Sequence, residues 1–494
     1  MTKGVDFDVI IVGSGIAGLY TALSISKKLK ILLVTKGDVH EGSSYLAQGG
    51  ISLSVQGKED LDSHIQDTLI AGNFKNDIDV VKSYISECKS ILKELIKIGI
   101  NFDFDSSGSL HFTLEGGHAR RRILHCGGDQ TGRYFSETLL KRVEELENIE
   151  VRSYTELVDL SFSEKDSFAG VMLNHKGKRY FVSSQCLVLA TGGYGGIYTK
   201  TTNEKTTVGD AIALALLHGI EVKHLERIQF HPTAFYHVKE QRYLLLSEAL
   251  RGEGAYLYNS SRERFMKKYD TRLELATRDV VSKAILEQLN SGERVYLDIS
   301  HKTKEFILNR FPTIYEKCLS SGYDISCESV PIEPVAHYSI GGIKIDKNSE
   351  SSKKGIFACG EVAYSGFHGS NRLASNSLLE CIVTARRAGH EISKLTSNVQ
   401  KYEFKAEERV EMISIGENCE ISLEDIKKRI SISGNIIRKR YEVEESKEYF
   451  KMLYEKYINQ NNISYEARNL IVLGKAIFES MAEIPSSGCH VIEN

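Results

Sequence analysis

Glu115, His118 and His125 share one segment, LEGGHARRRILHCGGDQTGR (114–133), with Arg120, Arg121, Arg122 and Arg133. A charge run usually faces water. Here glycine pairs flank the carboxylate and the imidazole, and a backbone without Cβ lets a ligand come close, so the segment reads equally as a ligand-contacting loop. Further on, QFHPTAFY (229–236) offers His231 and Thr233 around Pro232, AHYSIGGIKI offers His337, and GFHGSNRLASNSLLE offers Arg372. Arg278, in LATRDVVSKAIL, opens a predicted helix, where the helix dipole disfavours a cation. Either that charge has a purpose or Asp279 compensates it. Singly, each histidine is more often a packed residue and each arginine a surface ion pair. By the topology set out below they can converge on one crevice.

What must bring them together is legible from the glycines. DVIIVGSGIAGLYTALSISKKLKILLVTKG (8–37) reads as strand, tight turn, helix, strand, with Gly13, Gly15 and Gly18 spaced as G-x-G-x-x-G. Gly13 permits the turn, Gly15 lets phosphate approach the backbone, and Gly18 lets the helix lie close to the sheet. The helix N-terminus then faces a pyrophosphate. The second strand ends Val34-Thr35-Lys36, without the acidic residue that grips a ribose, which weakens a plain NAD reading. Buried strands recur at CLVLATGGYGG (186–196) and GIFACGEV (355–362), the latter followed by a helix from about Asn376. Glycine sites thus stand at three sheet edges, 13–18, 190–196 and 360–369.

Helical periodicity covers 78–98 and 132–146, and alternation over 150–190 with a turn at 175–178 predicts a hairpin layer. The expected fold is α/β: a Rossmann-like dinucleotide-binding domain (1–224 and 339–397) interrupted by an α+β capping domain (225–338). The cap would carry helices at 275–290 and 312–321 and a strand at 295–300. Charged helical patterns after 397 predict a C-terminal helical domain, 398–494.

Composition excludes several classes. With 63 Lys plus Arg against 66 Asp plus Glu, the net charge of −3 provides no field for nucleic acid or an anionic membrane. The nine cysteines form no C-x-x-C pair and no zinc spacing, so no metal is expected and a reducing compartment is. The start MTKGVDFDVIIVG sets Asp6 and Asp8 before a very short apolar run, neither signal peptide nor membrane span. A soluble cytoplasmic protein is the expectation.

GSGIAGL, SSYLAQGGI, EGGHARRRILH, QFHPT, LRGEGA, TRDVV, AHYSIGGI and GSNRLASNSLLE occur in this order. In these motifs the chain resembles the succinate dehydrogenase and fumarate reductase flavoprotein superfamily, from about residue 8 to 393 and more loosely beyond. The resemblance implies FAD lined by Ser14, Gly15, Ile16, Ala17, Lys36, Ser43, Ser44, Tyr45, Leu46, Ala47, Gln48, Gly49, Gly50, Leu157, Asp210, Glu361, Ser377 and Leu378. Gly13, Gly18, Ala190, Thr191 and Gly192 join them from the glycine edges. Lys36 then explains the missing acidic residue, because the family carries Ser or Thr followed by Lys there. Members in membrane complexes bond flavin to a histidine five residues before the loop glutamine; Ser43 stands there here, implying non-covalent FAD. The helix near Asn376 would aim its positive end at the flavin pyrimidine.

Succinate-oxidising relatives carry an apolar or aromatic residue where this chain has Glu115. A carboxylate can pair with an amino group that succinate lacks, so the implied branch oxidises L-aspartate to iminoaspartate at the start of NAD synthesis. His231, Thr233, His337 and Arg372 would hold two substrate carboxylates, with Glu248 and Arg251 lining the site. The implied mechanism is hydride transfer from the substrate Cα to flavin N5 under a cap that excludes water. Arg278 matches the family's proton donor and acceptor, but a guanidinium with a pKa above about 12 is a poor base, so orientation and charge stabilisation are expected of it. Reoxidation would be by O₂, giving peroxide, or by fumarate, with a quinolinate synthase to take up the product. Rival readings are a soluble fumarate reductase or succinate dehydrogenase flavoprotein and a flavin-binding module without turnover. One departure stands at the tail, where the family's Ser-Arg-Gly-x-His is Ser486-Ser487-Gly488-Cys489-His490.

Overall fold

The strand Phe7–Val12 is apolar except at Asp8 because it is covered on both faces. It pairs in parallel with Ile31–Val34 on one side and with the second half of Lys178–Leu189 on the other. The seven-stranded sheet runs Ile149–Arg152, Ile31–Val34, Phe7–Val12, Lys178–Leu189, Phe168–His175, Thr155–Phe162, and Ile356–Ala358 also pairs with Lys178–Leu189. That twelve-residue strand joins two layers. Its first half closes an antiparallel hairpin with Phe168–His175, and its second half lies in the parallel core. Lys176 and Gly177 both take positive φ (49° and 83°), which a two-residue hairpin turn needs. The computed structural model describes residues 5–395, 422–460 and 463–494.

Five helices, Ile16–Ser24, Ile78–Ser86, Cys88–Ile98, Thr131–Glu144 and Asn376–Leu395, share one core with one face of the sheet. The opposite face buries Asp210–Leu217 and the helices Leu423–Ser433, Arg440–Tyr457 and Tyr465–Glu483 in a second core. The expected boundary at 397 and 398 lies outside the described residues. The single helix expected over 78–98 is broken: Glu87 ends the first half in a tight turn, donating to the Tyr84 carbonyl at 3.1 Å, and Cys88 starts the second. No glycine or proline marks this break. The charged tail also contains a parallel strand pair, Ile437–Lys439 with Val491–Glu493, where only helix was expected.

Between the halves of the parallel sheet the chain builds a five-stranded antiparallel sheet. Its order is Arg242–Leu245, Ile228–His237, Val330–Ser339, Val295–Asp298, Tyr256–Asn259. Arg278–Asn290, Lys304–Arg310 and Pro312–Ser320 contribute to its core. The first of these helices begins at Arg278 rather than 275, because Leu273–Leu275 forms a separate 3-10 turn. Ile228–His237 and Val330–Ser339 enter and leave this sheet, and their pairing slips twice. Gln229 faces Tyr338 and Phe230 faces Ala336, so His337 is an extra, bulged residue; a second slip falls between His231 and Ala234. Bulges re-aim side chains at sheet rims. No helix among the described residues is long and apolar enough to cross a membrane.

Candidate active site

The carboxyl ends of the parallel strands open onto a cavity of about 630 Å³ that extends from the glycine turn to the antiparallel sheet. Gly13 (φ +114°) makes the turn, and a Cβ on it would stand 2.2 Å from the Ala190 carbonyl oxygen. One on Gly18 would stand 1.9 Å from the Gly13 carbonyl oxygen, so the helix Ile16–Ser24 rests directly on the turn. Gly13, Ser14, Gly15, Ala17, Lys36, Ser43 through Gly50, Leu157, Ala190, Thr191, Gly192, Asp210, Glu361, Ser377 and Leu378 line the cavity. Ile16 and Gly18 do not; Ile16 instead donates its N–H to Ser44 Oγ at 3.2 Å.

These residues fit FAD on two grounds. Ser43 Oγ, Gln48 Oε1 and Thr191 Oγ1 are buried without a hydrogen-bond partner among the described residues, which is rare unless a ligand satisfies them. The N-cap of the first helix is Gly15, which has no side chain to cap it, so that beyond the Ile16 N–H held by Ser44 the first turn offers its remaining N–H groups to a phosphate. Lys36 carries three carboxylate neighbours: Asp210 at 3.2 Å, Glu466 at 3.7 Å and Glu156 at 3.9 Å. Burial opposes its charge, but the carboxylates outweigh burial and raise its pKa. Glu361 accepts the Ser339 N–H at 2.8 Å, and burial pushes its carboxyl up to about 7.

At the other end of the cavity, Glu115, Glu248, Arg278, His337 and Arg372 line a common wall. Arg278 is the first residue of its helix, and its compensation comes from elsewhere than Asp279. Its Nε donates to Glu248 Oε2 at 2.9 Å and its Nη1 to Gln229 Oε1 at 3.0 Å, while Asp279 accepts from Asn371. Arg251 Nη2 lies 2.5 Å from the other Glu248 oxygen. Arg372 packs over the Tyr338 ring at 4.1 Å, and its Nε has no partner among the described residues. Burial and Arg278 lower the Arg372 pKa to about 10. Glu115 is buried, with Oε2 accepting from Ser375 Oγ at 2.6 Å and Oε1 without a hydrogen-bond partner among the described residues. Burial raises its pKa.

His231 and Thr233 are buried beside this wall without lining the cavity. The His231 ring meets the His337 ring at 5.1 Å, and its unpartnered Nε2 lies 3.9 Å from Glu248. Burial, then Arg278, holds both imidazoles well below their usual pKa, so they are neutral. Thr233 Oγ1 donates to the Leu246 carbonyl at 2.7 Å, which leaves it no proton for a substrate carboxylate in this arrangement.

A buried polar network supports the loop that carries Arg372, and sequence reasoning did not identify it. Arginine only donates, so Arg122 Nη1 fixes His118 Nδ1 as an acceptor (2.8 Å), and His118 Nε2 donates to the Ala374 carbonyl at 2.9 Å. Burial and Arg122 lower the His118 pKa to about 3. Asn376, where the long helix starts, is held by Ser52 (2.6 Å), His64 (2.8 Å) and Thr68 (3.0 Å). Gln229 Nε2 donates to Asn371 Oδ1 and to the Arg372 carbonyl, both at 2.8 Å. Of these, His118, Arg122, Gln229, Asn371, Ala374 and Asn376 sit within segments already singled out by sequence, whereas Ser52, His64 and Thr68 do not.

The FAD binding domain family matches residues 8–378. An L-aspartate oxidase of Clostridium perfringens is 43% identical over 80% of this chain and 88% of its own length. One of Clostridium acetobutylicum is 41% identical over 88% of this chain and 96% of its own. Among solved structures, an E. coli quinol fumarate reductase FrdA variant superposes with a TM-score of 0.88 at 26% identity, covering 99% of this chain and 91% of that one. The fold is thus a mixed α/β fold with an FAD-binding domain, and the cofactor is FAD. By these matches the chain belongs to the L-aspartate oxidase family, FAD-dependent oxidoreductases of the succinate dehydrogenase and fumarate reductase flavoprotein superfamily.

Proposed function

We propose that this chain oxidises L-aspartate to iminoaspartate, with reoxidation by O₂ to give H₂O₂ or by fumarate, as the first step towards NAD. Bound FAD supplies the hydride acceptor for this chemistry. The observation that carries the reading is Glu115: a buried carboxylate with one oxygen unpartnered, on the wall it shares with Arg278 and Arg372. An aspartate carries two carboxylates and one ammonium. Arg372 and Arg278 match the carboxylates, and Glu115 matches the ammonium.

Arg278 is already charged and paired with Glu248, so its part is to orient a carboxylate rather than to remove a proton. Neutral His337, which lines the cavity, adds hydrogen-bonding capacity without adding charge, and His231 packs against its ring. The antiparallel sheet closes the cavity from the side opposite the glycine turn and keeps water from the reacting carbon. Ser43 offers a hydroxyl where a covalent link would need an imidazole, which supports non-covalent attachment. The names of the relatives support the substrate, and the fumarate reductase likeness supports fumarate as an acceptor.

Glu115→Gln tests this reading. It keeps the shape and removes the charge that pairs with ammonium. Turnover of aspartate (kcat/KM) is expected to fall about 100-fold, the range for losing one partner of a buried charge pair, while succinate affinity holds. Unchanged aspartate kinetics would remove the basis for amine recognition.

A further inference from the structure

Ser375 takes a backbone φ of +60°, a region that side-chain-bearing residues avoid. The neighbouring groups hold it there. Its carbonyl accepts from the N–H of Ser52 at 3.2 Å, the preceding Ala374 carbonyl accepts from His118, and the following Asn376 is fixed by three side chains, Ser52 Oγ among them. This conformation places Ser375 Oγ 2.6 Å from Glu115 Oε2. The pair borders the cofactor loop: a Cβ on Gly49 would lie 3.7 Å from Glu115 Oε1 and 3.7 Å from Ser375 Oγ. A hydroxyl has one proton to give. Spent on Oε2, it leaves Oε1 as the free acceptor.

We infer that Ser375 is a positioning residue for amine specificity, holding Glu115 as an ionised carboxylate whose Oε1 receives the ammonium of the amino-dicarboxylate substrate. The inference rests on the aspartate reading above. The charges around Glu115 make such a partner necessary. Burial and the Glu248 carboxylate both oppose its ionisation. Ser375 opposes them most strongly, ahead of Arg278 and Arg310. Arg251 and Arg372 also face Glu115. His125, neutral and accepting from Arg310 Nη2 at 3.1 Å, presents Nε2 3.9 Å from Glu115 Oε1.

Two variants test it in the FAD-loaded protein. Ser375→Gly keeps the positive φ and removes the hydroxyl; Ser375→Cys keeps the shape with a weaker donor. Glu115 must be ionised to take an ammonium, so raising its pKa makes activity disappear at a higher pH as the medium is acidified. In Ser375→Gly the acid limb of kcat/KM for aspartate is expected to move up by about one pH unit and KM for aspartate to rise about tenfold. The dissociation constant of succinate, read from flavin absorbance, is expected to stay at the wild-type value, and Ser375→Cys to fall between wild type and Ser375→Gly. An unmoved acid limb, or equal losses for aspartate and succinate, would overturn the inference. Should Ser375→Gly fail to retain flavin, the limb of Ser375→Cys decides in the same way. If Glu115→Gln abolishes the preference for aspartate while Ser375→Gly changes neither preference nor limb, only the role of Ser375 falls. If Glu115→Gln keeps the preference, amine recognition by Glu115 falls and the role of Ser375 with it; wild-type flavin left oxidised by aspartate would overturn the aspartate reading itself.

Discussion

Glu115 and Glu248 are both buried carboxylates, and their partners separate their roles. Glu248 lies between two guanidinium groups, Arg278 and Arg251, whereas Glu115 meets one hydroxyl and keeps one oxygen free. The first is neutralised by two cations, although its Oε1 meets Arg251 without a directed hydrogen bond, and the second is an acceptor with no cation in contact, awaiting a donor. Arg278 makes two directed bonds, to Glu248 and Gln229, which an ammonium cannot reproduce in the same plane. Arg278→Lys is therefore expected to lower kcat with aspartate by about 100-fold, from the loss of the directed hydrogen bonds of the guanidinium to Glu248 and Gln229, with flavin content unchanged. Rapid-mixing measurement of flavin reduction checks it, and a wild-type rate would show that charge alone suffices. Residue types such as Glu115, His337 and Arg372 were legible in the sequence because glycines and motif order flagged them. Ser375 was not: its partner lies 260 residues away, and nothing in LASNS announces a positive φ.

Elements were legible wherever one rule decides them. Gly13, Gly15 and Gly18 foretold strand, turn and helix because the turn admits no other residue at its tightest points. A Cβ at Gly13 would need both a left-handed φ of +114° and a 2.2 Å approach to the Ala190 carbonyl oxygen. Gly13→Ala should cost about 2–3 kcal/mol of stability, as overpacking at a strained position does, and lower FAD retention, read by thermal unfolding and flavin absorbance together. A variant with wild-type melting and full flavin would refute the packing argument. Other features were hidden for physical reasons. The break at Glu87 involves no helix breaker, since a residue with φ −81° and ψ −11° differs little from a helical one. The bulge at His337 depends on the pairing of two strands about a hundred residues apart, and periodicity along one strand does not contain it.

At the scale of the whole molecule, the three large hydrophobic cores among the described residues all contribute to the lining of one cavity, and the tail joins them through a small cluster of Tyr338, Ile340 and Cys489. Ser487 Oγ lies 2.9 Å from Ser370 Oγ, and the Cys489 N–H donates to the Ser370 carbonyl at 3.0 Å. The tail thus packs on the loop that carries Arg372, although it has Ser487 where the superfamily has arginine. Tyr465 and Glu466, at the start of the helix Tyr465–Glu483, reach the Lys36 end of the cavity, by bonding Glu156 and pairing with Lys36 respectively. The Lys36 end of the cavity and the loop that carries Arg372 are therefore both reached by segments distant in sequence. The sequence could order the motifs but not foresee these contacts, because charged helical patterns do not specify which surface they meet. The most direct test of the account is anaerobic mixing of the FAD-loaded protein with L-aspartate or with succinate, followed by flavin absorbance. Bleaching by aspartate, with only a spectral shift from succinate, is the predicted result; bleaching by succinate and not by aspartate would contradict it.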